Sequence, residues 1–374
     1  MSDWKTNLSG FIETLDKIAD KIRWRWRGKK GYKKKLKIIS YLGFGTDEKL
    51  FLRGRVIAEK REIISAETDG KRRNLGNFFR RFTTTEVPFA LVRASFENVS
   101  IEVSADDEGY FYLELSGFET EITDALFREI KLELLSPVPK SGKIVAAVGK
   151  VIVPSKTAKF GVISDLDDTI ITTDVASKLK MLFNTALRNE YTRLPFEGVA
   201  AFYKALQKGT NDDQNPFFYV SSSPWNLYPF LVEFLRLNDI PCGAVFLKDF
   251  GNHTIFNSSD HSTHKLENIE KILLAYADLP FILIGDNGES DPQIYAEIVR
   301  KFPERIKTIY IRSVRQETER INDLNNLIAE VAKSAVQLIL AEDTEFAAVH
   351  AAAEGFINTS ELENIRLKKK MDEK

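Results

Sequence analysis

The pattern of apolar and polar positions changes near residue 155, and this change predicts two structural regions. Before it, short segments alternate apolar and polar side chains, which is typical of strands with one buried face. After it, short apolar runs alternate with segments of helical period, which is typical of a mainly parallel sheet covered by helices. The polar residues 155–159, which follow Pro154, are predicted to be a linker.

The first region, residues 38–154, is predicted to be a small β-sandwich-like domain. Residues 105–109 contain three acids and end in Gly109, so we expect them to reverse the chain and join two strands in a β-hairpin. Residues 74–82 are expected to form a short helix or a crossing loop. Strands are expected at 50–57, 90–96, 99–104, 110–115 and 143–153.

The second region, residues 160–340, is predicted to be an α/β domain with a Rossmann-like parallel sheet. Residues 341–374 are expected to add a C-terminal helix and a tail, and the lysine-rich end from residue 360 is expected to be solvated. Strands are expected at 160–164, 216–220, 243–247, 280–284 and 306–311. Helices are expected at 197–208, 225–237, 264–276, 291–301 and 318–338.

Residues 1–37 combine a predicted amphipathic helix at 5–22 with a basic aromatic strip at 21–37. The strip contains ten Lys or Arg residues, no acid, and the aromatic residues Trp24, Trp26 and Tyr32. One interpretation is a solvated arm or an intramolecular clamp. Another is a peripheral contact with anionic lipid headgroups, because Trp and Tyr favour the membrane interface and Lys and Arg favour an anionic surface. Nucleic acid is not expected as a partner, since no base-reading module accompanies the strip.

Composition adds few constraints. The 374 residues have a formal net charge of −1, with 43% hydrophobic and 29% charged residues, which is ordinary for a globular protein of about two domains. The single cysteine, Cys242, excludes an intrachain disulfide framework and is expected to have a packing role. No signal peptide and no membrane span are expected, so the predicted location is cytoplasmic, with membrane contact only at the periphery.

Chemistry is concentrated where the apolar run 160–164 ends in Asp165 and Asp167, followed by Thr169. Ligands of α/β proteins bind at the carboxyl ends of the parallel strands. Two neighbouring carboxylates repel each other and are costly to bury unless a cation lies between them. Oxygen ligands suit Mg²⁺, so the pattern predicts a nucleophile, a proton donor and a magnesium site.

Three further signals follow predicted strands or begin predicted helices. Ser221, Ser222 and Ser223 follow the run 217–220, where hydroxyl groups can bind phosphate or can simply cap the next helix. Lys265 lies at the start of a helix, where a cation opposes the helix dipole unless it faces an anion; the alternative is a surface lysine.

The last signal is a second apolar run that ends in carboxylates. Residues 281–284 run into Gly285 and Asp286, and Asp291 follows after three more polar positions and a glycine. Asp291 has an alternative explanation as a helix N-cap before Pro292. Asp286 has no such structural explanation and is predicted to belong to the site.

In this order, these motifs resemble the four motifs of the haloacid-dehalogenase-like phosphatases. Residues 219–227 and 285–295 are similar to the longer motifs of the phosphatidate phosphatases of the actin-patch-protein type. The resemblance covers about residues 160–315. A looser resemblance links residues 41–45 and 107–110 to the domain that precedes the catalytic one in bacterial members.

The resemblance implies a role for each position. Asp165 matches the nucleophile that forms an aspartyl-phosphate, and Asp167 matches the general acid and base. A Mg²⁺ ion would bind to Asp165, to the backbone carbonyl of Asp167 and to Asp286. The phosphate-binding groups would be Thr169, Ser221, Ser222 and Lys265. Thr169 would also orient the loop of the nucleophile. Asp291 would hold Lys265 or a metal-bound water.

The expected function is therefore a Mg²⁺-dependent phosphomonoester hydrolase, with phosphatidate as the implied substrate and diacylglycerol and phosphate as products. The short stretch between Asp165 and Ser221 leaves room for a small cap but not for a large lid domain. One alternative is the same chemistry on a soluble sugar phosphate or a phosphoprotein. Another is a non-catalytic membrane-binding module that keeps the fold.

Overall fold

The computed structural model describes residues 34–58, 85–119, 126–166, 198–248, 261–287, 290–313 and 318–372. The described chain forms two compact units, with a boundary between Val151 and Ile152. Each unit contains one β-sheet. The predictions for residues 5–22 and 74–82, and for most of the strip 21–37, lie outside the described residues.

The first unit contains one nine-stranded sheet, so the predicted β-rich character of this region is confirmed, whereas its predicted sandwich-like arrangement stays a prediction. Along the main path the strand order is β1-β3-β2-β9-β8-β5-β6, and β4 and β7 both pair with β3. The strands are β1 Leu36–Ser40, β2 Gly43–Gly45, β3 Lys49–Ala58, β4 Thr85–Glu86, β5 Leu91–Phe96, β6 Val99–Ser104, β7 Tyr110–Ser116, β8 Phe127–Ser136 and β9 Ala146–Ile152.

The alternating sequence of these strands produces one buried and one exposed face. In β3, Leu50, Leu52 and Val56 are buried, whereas Phe51 and Arg53 lie on the other face. Successive side chains of a strand point to opposite faces, so the apolar positions of each strand meet in one core.

The predicted hairpin between β6 and β7 is wrong. β6 pairs with β5, across a two-residue turn at Glu97, which has a φ of 48°, and β7 pairs along its whole length with β3. The loop before Gly109 carries the chain across to β3, where the Gly109 carbonyl accepts a hydrogen bond from the Val56 N–H at 2.8 Å. Gly109 has a φ of 82°, which explains the glycine at this position.

The second unit contains a six-stranded sheet in which every pairing is parallel, in the order β12-β11-β10-β13-β14-β15, so the predicted parallel α/β sheet is confirmed. Its strands are β10 Gly161–Asp165, β11 Phe217–Pro224, β12 Gly243–Lys248, β13 Phe281–Asp286, β14 Ile306–Arg312 and β15 Gln337–Ala341. The described helices are α1 Val199–Lys208, α2 Tyr228–Leu237, α3 His261–Ala275, α4 Asp291–Lys301, α5 Thr318–Ala332, α6 Thr344–Ala353 and α7 Glu361–Asp372, and a 3-10 turn covers Trp225–Leu227.

Three predictions for this unit are wrong. The helix predicted at 318–338 ends at Ala332, because the chain turns through Ala335 at a φ of 55° and then enters strand β15. The end of the chain, predicted as a solvated tail, forms helix α7, in which Ile365 is fully buried. Cys242 is exposed rather than packed in the core.

Helix α7 lies antiparallel to α1 and α6, as three ion pairs show. Near the amino end of α7, Glu361 contacts Lys208 at the end of α1, with Nζ and Oε1 2.7 Å apart. Near its carboxyl end, Arg366 Nε lies 2.7 Å from Glu345 Oε1, and Lys369 Nζ lies 2.6 Å from Asp343 Oδ2. Among the described helices, none is long and apolar enough to cross a membrane.

Replacing Asp343 by alanine is expected to lower the free energy of unfolding by about 1–2 kcal/mol at neutral pH. Asp343 caps α6 by accepting a hydrogen bond from the Phe346 N–H at 2.8 Å, and it also binds Lys369. Burial pushes the pKa of Asp343 upward, but the hydrogen bonds from Lys369 and from the Phe346 N–H outweigh burial and hold the pKa below its usual value.

Because the folded-state pKa of Asp343 is lowered, its contribution is present above about pH 4 and is lost as the pH falls. Urea unfolding at several pH values should therefore show the largest difference between wild type and Asp343→Ala near neutral pH. The difference should narrow as the pH falls below about 4. A difference that does not change with pH would contradict an ionic contribution from Asp343.

Candidate active site

Two carboxylates lie side by side at the carboxyl edge of the parallel sheet. Asp165 is the last residue of β10, and Asp286 is the last residue of the neighbouring strand β13. Parallel strands bring their carboxyl ends to the same edge, which is where α/β folds bind ligands. The apolar runs that precede both residues are buried, so each strand positions its acid from a rigid core.

Lys265 lies between Asp165 and Asp291. Its Nζ atom is 2.7 Å from Asp165 Oδ1 and 3.0 Å from Asp291 Oδ1. The Lys265 and Asp165 side chains are each only 4% exposed, so the alternative of a solvated surface lysine does not hold. A buried ammonium with two carboxylate partners is well compensated and positioned to contact an anion.

Asp291 is the first residue of α4 and is fully buried. One oxygen binds Lys265, and the other accepts a hydrogen bond from the Asp286 backbone N–H at 3.2 Å. The N-cap alternative for Asp291 therefore does not hold, because Ser290 occupies the cap position. Burial raises the pKa of Asp291 to about 6; the Lys265 ammonium opposes this rise, and the nearby Asp286 carboxylate adds to it.

The carboxylates of Asp165, Asp286 and Asp291 form a cluster that fits a divalent cation. One oxygen from each lies within 4.8 Å of the others. Three hard oxygen donors suit Mg²⁺, and a cation would offset the repulsion that a single ammonium compensates only in part. Asp291 was predicted to hold Lys265 or a metal-bound water, and its carboxylate lies beside Lys265 as well as near the other two carboxylates. Asp167 and Thr169 lie outside the described residues.

The three serines form a bulge in β11 at the same edge. Val220 pairs with Phe246 and Pro224 pairs with Lys248, so Ser221–Ser223 stand opposite the single residue Leu247. Ser221 and Ser223 are buried, and the Ser223 N–H donates to Ser221 Oγ at 3.0 Å. The bulge turns backbone N–H groups and hydroxyls away from the regular ladder, which is a common way to direct groups at a site.

A polar contact behind Asp165 could not be predicted from the sequence. The Ser164 hydroxyl donates to the Asp165 carbonyl at 3.0 Å, so the Tyr203 hydroxyl, 2.8 Å away, must donate to Ser164 Oγ. Burial raises the pKa of Tyr203 to about 12, so this donor stays protonated at neutral pH. Tyr203 belongs to α1, and no motif relates a helical tyrosine to a strand serine so distant in sequence.

Gly285 leaves the space in which Asp291 sits. A Cβ atom at this position would overlap Asp291 Oδ2 and would lie 2.9 Å from Asp291 Cβ. The backbone of β13 can therefore approach the Asp291 side chain only because residue 285 has no side chain.

Comparison with known proteins agrees with this geometry. Residues 160–313 match the family model of the phosphatidate phosphatase APP1 catalytic domain. The chain is 34% identical over 180 residues to phosphatidate phosphatase APP1 of Saccharomyces cerevisiae, a match that covers 45% of this chain and 30% of that protein. It is 29% identical over 236 residues to an uncharacterized protein of Schizosaccharomyces pombe, covering 60% of this chain and 38% of that protein.

The chain thus spans about a third of the length of the curated relatives it matches. Among solved structures, a carbohydrate acetylesterase from Xanthomonas citri is 12% identical with a TM-score of 0.24, over 78% of this chain and 72% of that chain. A likeness that low supports no argument. The predicted resemblance to phosphatidate phosphatases of the actin-patch-protein type is confirmed by these matches: residues 160–313 of this chain are similar to the catalytic domain of phosphatidate phosphatase APP1.

Proposed function

We propose that the chain is a Mg²⁺-dependent phosphatase of the haloacid-dehalogenase type that converts phosphatidate to diacylglycerol and phosphate. The proposal rests on one observation: Lys265 Nζ lies within 3.0 Å of both Asp165 and Asp291, inside the segment that matches the APP1 catalytic domain. A strand-end carboxylate beside a buried cation is the arrangement that nucleophilic attack on a phosphoryl group requires.

In the first step, an oxygen of Asp165 attacks the phosphorus atom, and the bond from phosphorus to the leaving alcohol oxygen breaks. Asp167 is proposed to give its proton to that oxygen, which leaves diacylglycerol and an aspartyl-phosphate. The Lys265 ammonium, already beside the attacking carboxylate, is proposed to neutralise the charge on the transferring phosphoryl oxygens. Thr169, Ser221 and Ser222 are proposed to donate hydrogen bonds to the same oxygens.

In the second step, a water molecule attacks the phosphorus atom of the aspartyl-phosphate. Asp167, now ionised, takes a proton from this water, and the bond between phosphorus and the Asp165 oxygen breaks. Inorganic phosphate leaves, and both carboxyl groups return to their starting states. One residue can serve as acid and then as base because the two steps need opposite proton transfers.

Asp165, Asp286 and the backbone carbonyl of Asp167 are proposed to hold the Mg²⁺ ion. When bound, Mg²⁺ would lower the repulsion between the Asp165 carboxylate and the phosphate dianion. The oxygen donors of Asp165, Asp286 and Asp291, within 4.8 Å of one another, support this proposal. Asp291 fixes the position of Lys265 and of the Asp286 backbone at the same time.

The substrate is tested by measuring Mg²⁺-dependent phosphate release from phosphatidate in mixed micelles and from para-nitrophenyl phosphate. Release from phosphatidate supports the lipid phosphatase. Release from the soluble ester alone supports the phosphatase reaction but favours a soluble sugar phosphate or a phosphoprotein as the substrate. No release from either, with Mg²⁺ present, would favour the non-catalytic membrane-binding module. A contact between the strip 21–37 and the membrane remains a prediction.

Replacing Gly285 by alanine is expected to lower kcat/KM for the soluble ester about a hundredfold, because a displacement of about 1 Å in a site has an effect of that size. The added methyl group would displace Asp291 and, through it, Lys265. Steady-state kinetics with Gly285→Ala and Gly117→Ala measure the effect. Gly117 has a φ of 73°, so alanine there costs about 1 kcal/mol of stability, but its Cβ would meet no atom within 4 Å and the control should keep its activity. Full activity of Gly285→Ala would exclude the positioning role of Asp291.

A further inference from the structure

Exposed apolar side chains of the second unit gather on its last two helices. Within the described residues of this unit, five large apolar side chains are strongly exposed, and four of them lie on α6 and α7. Phe346 is 55% exposed, Val349 44%, Leu367 56% and Met371 64%; the fifth is Leu274. Single exposed apolar residues need no explanation, but a local concentration of them indicates a binding surface.

The start of α6 lies at the same edge of the sheet as the active site. Asp286 pairs with Arg312, and Arg312 pairs with Ala341, the last residue of β15. Two strand spacings separate Ala341 from Asp286, which is about 10 Å. Helix α6 begins three residues after Ala341, so Phe346, in its first turn, lies beside the active-site edge.

The last turns of α7 lie at this edge as well. Lys369 binds Asp343, which caps the start of α6, and Arg366 binds Glu345 in the first turn of α6. Leu367 and Met371 belong to these turns of α7. We call the exposed residues at this edge the α6–α7 rim; they are Phe346, Leu367, Lys368, Lys370 and Met371.

The five residues of the rim include two exposed lysines, Lys368 and Lys370, and no acid. Acids do lie next to the rim: Glu342 is exposed, and Asp372 is the last residue of α7, whereas Asp343 and Glu345 are paired with Lys369 and Arg366. Lysines at a helix carboxyl end are favoured by the helix dipole, so their presence alone has a structural explanation. The dipole does not explain Leu367 and Met371, which flank these lysines in the sequence and are exposed to solvent.

We propose that the α6–α7 rim is a membrane-docking surface that holds the active-site edge against an anionic phospholipid surface. Apolar side chains enter the interface between headgroups and acyl chains, and each lysine near an anionic surface adds to the attraction. The choice of a lipid surface as the partner rests on the proposed function, because a phosphatidate headgroup must reach Asp165 from the plane of a membrane. The position of the rim beside that edge does not depend on the proposed function.

Flotation with phosphatidylcholine vesicles, with and without phosphatidylserine, tests the rim in the full chain. Phosphatidylserine supplies the anionic surface without being a phosphomonoester, and the Asp165→Asn background prevents hydrolysis. Lys368→Gln with Lys370→Gln is expected to weaken binding to the anionic vesicles at least about tenfold. Phe346→Ser with Leu367→Ser and Met371→Ser is expected to weaken it at least as much. All five side chains are exposed, so the fold should tolerate these changes.

Matched controls lie at the opposite edge of the same unit. Leu274, at the end of α3, is 69% exposed. The variant Leu274→Ser is therefore the control for the apolar substitutions in the rim. Lys271 and Lys333 are exposed near the ends of α3 and α5. The double variant Lys271→Gln, Lys333→Gln is the control for the two lysine substitutions in the rim. Both controls should bind within about twofold of the unsubstituted chain.

Two results would overturn the proposal: rim variants that bind the anionic vesicles as the unsubstituted chain does, or no binding of the unsubstituted chain. In the active background, rim variants should hydrolyse the soluble ester normally and lose activity only on phosphatidate in vesicles. Unchanged thermal unfolding midpoints give an independent check of the fold. If binding depends on the rim but phosphatidate is not hydrolysed, the proposed substrate is wrong and the docking surface stands.

Discussion

Replacing Asp165 by asparagine is expected to reduce kcat/KM at least about 10⁴-fold on any phosphomonoester that the enzyme accepts. The amide has nearly the same shape but cannot form the bond to phosphorus that the carboxylate oxygen forms. The fold should survive, because Lys265 keeps its contact with Asp291 and the repulsion among the three clustered carboxylates falls. In metal-free buffer the variant should therefore unfold at no lower temperature than wild type.

The measurement is steady-state phosphate release by wild type, Asp165→Asn and Asp239→Asn. Asp239 is an exposed residue that pairs with Lys204 and has a φ of 60°, a conformation that asparagine adopts readily. The control should therefore keep wild-type activity and stability. A residual activity of Asp165→Asn above about one tenth of wild type would show that Asp165 is not the nucleophile.

Replacing Lys265 by methionine is expected to affect activity and stability together. Activity should fall about 10²–10³-fold, which is the usual loss when one group that stabilises transition-state charge is removed. In metal-free buffer the free energy of unfolding should fall by about 3 kcal/mol, because Asp165 and Asp291 stay buried without their ammonium partner. Added Mg²⁺ should restore part of the stability, since a cation would again lie among the carboxylates.

Urea unfolding in EDTA and in Mg²⁺ measures this effect, with Lys301→Met as the matched control. Lys301 also contacts two carboxylates, those of Glu270 and Glu297, but its side chain is 45% exposed. An exposed pair contributes at most about 1 kcal/mol, so the control should differ little from wild type both in EDTA and in Mg²⁺. If the free energy of unfolding fell equally in the two variants, the burial of Lys265 and its carboxylate partners would not increase their contribution to stability.

The positions of Asp165 and Asp286 were accessible from the sequence because an apolar run that ends in a carboxylate marks the end of a buried strand. The order of the motifs then added Lys265. The additional bond from Asp291 to the Asp286 backbone was not accessible, because it depends on how tightly the chain turns after Gly285. Local patterns indicate which segments become strands, whereas the direction of a single side chain depends on the packing around it.

The pairing of the strands was likewise only partly predictable from the sequence. The alternation of β6 and β7 was clear, but their partners were wrong, because a short loop can reverse the chain or carry it to another strand. The choice depends on which apolar faces meet in the folded core, and the sequence of the loop does not contain that information. Strand β15 was missed for a related reason: five residues at the end of a long helical pattern do not distinguish the two periods.

The exposed position of Cys242 makes a labelling experiment straightforward. The chain's single cysteine directly precedes β12, so it lies at the amino edge of the sheet, opposite Asp165. A strand of six residues is about 20 Å long, which sets the separation between the two edges. A fluorophore attached to Cys242 by maleimide chemistry would report distance from a bilayer that holds an acceptor dye. The orientation of the bound enzyme could thus be measured without adding or removing a residue.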